Sequence, residues 1–179
     1  AVAAAARDRG ADVTLISGPS ALPEPAGVRF VKVGTALEMH AAVISAARSA
    51  DLLVMAAAVA DFRPSEAAPE KIKKGGRPTF TLELVRNPDI IAEAAGPKLV
   101  KIAFAAETDD AARKAREKTR YKGAAFIVAN DVSAPGSGFG SDTNRVTFVY
   151  PDGNDEPMPL LDLVCTLVPD HWSPRLFRT

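Results

Sequence analysis

Three lysines within four residues, Lys71, Lys73 and Lys74, follow an apolar run that ends in Asp61 and Arg63. Ammonium groups at that density suit a polyanion, and an ordered loop bearing them can fold over the phosphates of a nucleotide. The competing reading is a solvated surface loop, a common fate of short charge runs. Position favours a built site, because the cluster follows the most apolar stretch of the chain and Pro64 and Pro69 precede it. Asp61 reads either as a strand-end turn residue or as a nucleotide contact or outer magnesium partner.

Further along, "RNPDI" places Asn87 as a helix cap with Pro88 at the first helical position. That reading is compatible with function, since a helix amino end with free N–H groups also suits an anion or a base edge. Lys118 and Lys122 stand at i and i+4 on one helix face, the spacing of a solvated stripe. By pattern alone Phe104 belongs to the core, and His40, His171, Trp172 and Cys165 read as structural. The chain has no G-x-x-x-x-G-K-[ST] phosphate loop, no G-x-S-x-G elbow, no metal-spaced histidine pair and no C-x-x-C.

The elements that must position these residues alternate. "ADVTLISGP", "VRFVKVG" and "DLLVMAAAVADF" read as strands, the last continuously apolar like a parallel strand covered on both faces. Between them, Thr35 caps the helix "ALEMHAAVISAARSA", with Glu38 completing a capping box. "TFTLELVRN" alternates like a half-exposed strand and the preceding "FRPSEAAPEKIKKGGRP" reads as a loop. "KLVKIAFAAET" and "AAFIVAND" flank a charged helix, and "RVTFVYPDG" closes with a strand. The pattern predicts a Rossmann-like three-layer α/β domain with a mainly parallel sheet, whose ligands sit beyond the carboxyl ends of the strands. The first helix already reads as a helix middle and is closed by Gly10, so a further segment upstream is expected.

At 179 residues, 47% apolar and 25% charged, the chain has the composition of one globular domain. Twenty-two basic against 22 acidic residues leave no overall field to recruit nucleic acid or an anionic membrane. No window is long and apolar enough to span a bilayer. The single cysteine excludes an internal disulfide framework and fits a reducing compartment, so a cytoplasmic location is the default expectation.

Taken in order, "VTLISGP", "TALEMHAAV", "AAAVADFRP", "EKIKK", "VRNPDII", "FAAET", "AFIVANDVS" and "GFGSDTNRVTFV" resemble phosphopantothenate-cysteine ligase, also called phosphopantothenoylcysteine synthetase. This is the ligase half of the bacterial bifunctional coenzyme A biosynthesis protein. The resemblance covers residues 1–160, lacking the family's first strand and its glycine-rich and SSGK segments, and leaves 161–179 as an atypical tail. It implies CTP-dependent joining of 4'-phosphopantothenate to L-cysteine through an acyl cytidylate, with Mg2+. Carried over by motif, Asp61, Lys71, Pro88, Asp89, Ile90, Ile91, Phe104, Lys118 and Lys122 resemble the CTP contacts. Lys71 also matches the lysine that supports acyl cytidylate formation, and Ala57 and Ala58 look like backbone donors beside the pantothenate end. A homodimer and a fused phosphopantothenoylcysteine decarboxylase domain are the implied partners. Two other readings remain open here: a noncatalytic nucleotide-binding or dimerisation module, and an NAD(P)-binding reductase.

Overall fold

Short β-branched runs form the strands and alanine-rich segments between them form helices. In chain order these are α1 (Val2–Asp8), β1 (Thr14–Ser17), β2 (Arg29–Lys32), α2 (Ala36–Ala47), β3 (Leu52–Met55), β4 (Phe62–Pro64), β5 (Leu84–Arg86) and α3 (Ile90–Glu93). There follow β6 (Val100–Glu107), α4 (Ala111–Lys122), β7 (Phe126–Asp131), β8 (Thr143–Asn144), β9 (Val146–Val149), β10 (Glu156–Pro157) and β11 (Leu161–Asp162). The structure, a computed structural model, describes residues 1–73, 79–107, 111–131, 143–158 and 161–162, with side chains described outside 106–115, 131, 143–144 and 161–162.

The main sheet has the order β10-β9-β7-β6-β3. β3, β6 and β7 run parallel, and β9 and β10 are added antiparallel. β1 and β2 form a separate parallel pair, and β4 pairs antiparallel with β5 as a two-stranded ribbon. Beyond residue 160 the backbone still pairs with the body, β11 lying antiparallel to β8. The remaining tail, like Lys74, lies outside the described residues. The result is a mixed, mostly parallel α/β domain, as the alternation of elements predicts.

Two strands are shorter than their sequence patterns predict. The apolar run from Leu52 pairs only as far as Met55. Residues 56–60 are four alanines and one valine, with weak strand preference and little area to bury, so the backbone leaves the sheet there. Of residues 79–87 only Leu84–Arg86 pair, and their partner Phe62–Pro64 comes from the segment expected to be a loop. Pro64 is tolerated because it faces Leu84 at a position of the ribbon where no ladder donor is needed, the next bond being made by the Ser65 N–H to the Glu83 carbonyl at 2.9 Å.

The core lies on both faces of the sheet. On one, Met39, Val43 and Ala47 of α2 pack with Ile90 and Ala94, and Ile16 of β1 joins Leu53 and Met55 of β3 against them. α2 therefore ties the β1–β2 pair to the main sheet. Next to this group, Ile91 meets Ala103, Ile127, Ala129 and Val149. The other face is aromatic, with Phe126 5.2 Å from Phe148 and 5.4 Å from Tyr150 between ring centroids. α2 starts as predicted. Thr35 Oγ1 accepts from the Glu38 N–H at 3.1 Å, and the Glu38 carboxylate accepts from the Thr35 N–H at 3.2 Å. At the end of α1, Gly10 takes the left-handed conformation with φ +89° just past Arg9.

The end of α2 also sets a close approach. A Cβ added at Gly96 would stand 2.4 Å from the carbonyl oxygen of Ala47. Gly96→Ala is therefore expected to cost about 1–3 kcal/mol, the usual penalty for forcing a packed backbone apart. Urea denaturation should show a lower midpoint at unchanged slope, and an unshifted midpoint would mean that the turn moves aside freely.

Candidate functional site

The loop after β3 and the second half of β6 open at the same sheet edge, where an open α/β sheet places its ligands. A cleft of about 730 Å³ lies there, floored by Met55, Ala103 and Phe104. Its outer wall is built by a brace. Asn87 is buried at 7% exposure. Its Nδ2 donates to the Ala60 carbonyl at 2.8 Å, and its Oδ1 accepts from Arg63 Nη1 at 3.1 Å. The Asn87 N–H donates to the Asp61 carbonyl at 2.8 Å, and Arg63 Nη1 also donates to the Arg86 carbonyl at 2.8 Å.

This corrects the reading of Asn87 as a helix cap. With its amide spent across the ribbon, Asn87 cannot also turn back on the next helix, and the following proline holds it out of the helical region. The cap is Asp89, whose carboxylate accepts from the Ala92 N–H at 3.2 Å, so the helix begins at Ile90 and not at Pro88.

α3 is a single turn and is fastened from three sides. Asp89 Oδ1 lies 3.4 Å from Lys122 Nζ of α4. Glu93 Oε2 lies 2.8 Å from His40 Nε2 of α2. Lys101 Nζ donates to the carbonyls of Ile91 at 2.9 Å and Ala94 at 3.4 Å. Burial pushes the Lys101 ammonium below the ordinary lysine pKa, and the Asp89 carboxylate pulls it part of the way back. His40, read from sequence as structural and without a nameable partner, thus has one on a helix that lines the cleft.

Of the residues singled out in the sequence, Ala57, Asp61, Pro88, Asp89, Ile90, Ile91, Phe104 and Lys122 converge on this cleft. Ala58, Lys71 and Lys118 are exposed and do not line it. Three polar lining residues were not singled out as site residues: Arg86, Glu93 and Tyr121, the last 74% exposed. Tyr121 had a signal, since it lies three residues after Lys118 and shares the face of Lys118 and Lys122. Arg86 and Glu93 had none, because what brings them to the cleft is the ribbon and α3. Among the described residues no group of three His, Cys, Asp or Glu could hold a metal ion, and no helix is long and apolar enough to cross a membrane.

A mostly parallel sheet with a polar cleft at its carboxyl edge defines a Rossmann-like α/β ligand-binding domain. The chain belongs to the DNA/pantothenate metabolism flavoprotein C-terminal domain family, whose sequence model matches residues 1–163. It is 43% identical over 173 residues to the coenzyme A biosynthesis bifunctional protein CoaBC of Vibrio cholerae, covering 94% of this chain and 43% of that protein. Against the protein of the same name from Escherichia coli it is 46% identical over 165 residues, covering 89% and 40%. The crystal structure of the C-terminal domain of CoaBC superposes with a TM-score of 0.72 at 39% identity, covering 90% of this chain and 73% of that one. The family resemblance read from the motifs is borne out. The chain spans about two fifths of the length of the curated relatives it matches.

The brace generates a test. Asn87→Ala leaves the Ala60 carbonyl and the Arg63 guanidinium without their buried partner, and about 1–3 kcal/mol of stability should go with it. Amide exchange at residues 61 to 63 should quicken before the rest of the sheet. Protection unchanged at those amides would show that the ribbon is held by other contacts.

Proposed function

We propose that the chain is the ligase domain of a phosphopantothenate-cysteine ligase, joining 4'-phosphopantothenate to L-cysteine with CTP. The observation that carries this reading is the convergence of Ala57, Asp61, Pro88, Asp89, Ile90, Ile91, Phe104 and Lys122 on one cleft of a chain that belongs to this family. Chemically, a carboxylate oxygen of 4'-phosphopantothenate attacks the α-phosphorus of CTP. The bond from that phosphorus to the bridging oxygen breaks, and pyrophosphate leaves. The cysteine amine then attacks the acyl carbon, the bond to CMP breaks, and the amine gives its proton to solvent. No enzyme nucleophile is required. The chain has to gather three substrates at one edge and to neutralise phosphate charge.

In this reading Lys122 and Lys118 on α4 and Lys71 beyond β4 supply the positive charge, and Lys71 supports formation of the acyl cytidylate. Because Lys71 does not line the cleft, it must approach once nucleotide is bound. Phe104 and the stretch Pro88 to Ile91 contact CTP, and the backbone of Ala57 and Ala58 donates toward the pantothenate end. Mg2+ would arrive with the triphosphate, and Asp61, an exposed carboxylate at the cleft, would contact its water shell. The proposal places the chain in the cytoplasm, in a protein that also carries a phosphopantothenoylcysteine decarboxylase domain.

Calorimetric titration with MgCTP, with MgATP and NADPH as controls, tests the nucleotide half. Selective CTP binding supports the reading, and NADPH binding in its place would replace it with a reductase. Lys71→Gln should slow pyrophosphate release at least about tenfold, as loss of one transition-state charge contact does, with little change in unfolding temperature. CTP binding by the wild type with no pyrophosphate release would identify a noncatalytic nucleotide-binding module.

A homodimer belongs to the same proposal, and the β4–β5 ribbon supports a second copy as its partner. Phe80, Leu82 and Leu84 alternate along the segment leading into β5, and they are 62%, 53% and 50% exposed, with Phe62 of β4 at 52%. Alternation puts the first three on one face, where they form an apolar stripe of the kind that marks an interface. Phe80→Glu with Leu82→Glu should convert a dimer into a folded monomer by sedimentation velocity at micromolar concentration. A dimer that survives both changes moves the contact elsewhere.

A further inference from the structure

One turn of helix cannot hold itself in water, yet α3 presents Asp89, Ile90 and Ile91 to the cleft. What supports it from behind is a lysine on a strand. Lys101 projects from β6 to the far end of α3, where its ammonium donates to the Ile91 and Ala94 carbonyls. Carbonyls at a helix end have no partner within the helix, and a cation is favourable there. The same ammonium stands against the end of α4, since a Cβ placed on Gly123 would lie 3.5 Å from Nζ. α3 and α4 in turn carry Asp89 and Lys122, which meet at 3.4 Å at the cleft.

We propose that Lys101 is a positioning residue for the cleft: by tying the carboxyl end of α3 while standing against the end of α4, it sets the spacing of Asp89 and Lys122 without touching ligand. This rests on the nucleotide-binding reading of the cleft. The charged group that acts on it is Asp89, the cap of α3, which itself pairs with Lys122 of α4. Asp89 holds the charge in place, and burial works against it. An apolar side chain at this position would relieve that burial but would leave two carbonyls without a donor. A guanidinium would keep both charge and donors.

Lys101→Met and Lys101→Arg decide the matter, each read by MgCTP titration and by amide hydrogen exchange. The methionine variant should bind CTP about tenfold more weakly, the scale of losing a hydrogen bond from a charged group. Exchange should quicken at Ala92, Glu93 and Ala94 and not across the sheet, and arginine should restore most of both. Unchanged affinity and exchange in the methionine variant would overturn the proposal. So would equal losses in both variants with faster exchange throughout, the mark of a purely structural residue. If the wild type binds no CTP, the nucleotide reading falls. The exchange comparison then decides Lys101 alone: local quickening rescued by arginine sustains its hold on α3, and its absence refutes it.

Discussion

A buried amide has to find partners inside the protein, because leaving one unmade costs more than making it gains. Asn87 meets that requirement with one carbonyl from the loop after β3 and one guanidinium from β4. The consequence reaches beyond the residue. Drawing Ala60, Asp61 and Arg63 against Arg86 and Asn87 closes the β4–β5 ribbon and turns the alanine-rich loop outward. It also aims Pro88 and Asp89 at the sheet edge.

The electrostatics of that edge are local and mixed in sign. A chain with equal numbers of acidic and basic residues places Asp61, Asp89 and Glu93 beside Arg86 and Lys122 around one cleft. Asp89 and Lys122 retain roughly a third and a quarter of their side-chain exposure, and an ion pair that wet is worth about 1 kcal/mol or less. Lys122 can therefore leave Asp89 at small cost. The pair keeps the lysine near the cleft and does not lock it away from a ligand.

Family membership and geometry carry different weight here. The matched family and the relatives at 43% and 46% identity set the fold and the lineage. They do so for about two fifths of each relative's length. The residue-level account comes from the cleft itself, where eight of the eleven residues carried over by motif come together. The three that do not, Ala58, Lys71 and Lys118, are exposed. Two of them are cations, the type of side chain that can reach a ligand from outside a cleft wall.

The sequence by itself determined the features whose signals are local. Thr35 and Glu38 stand three residues apart and form their capping box. Gly10 stops a helix that lies immediately before it. The order of the main strands and helices follows from runs of a few residues each, β4 excepted, and so does the family motif series. Tertiary structure decided what depends on distant partners. Asn87 satisfies its amide 27 residues away, and His40 finds Glu93 across 53. Lys101, unremarkable in a strand pattern, acquires its role only because α3 ends beside it. Where a side chain can choose between a neighbour in sequence and one supplied by the fold, the local signal names both options. Packing of the sheet, ribbon and helices makes the choice, because the buried polar groups must all be satisfied together.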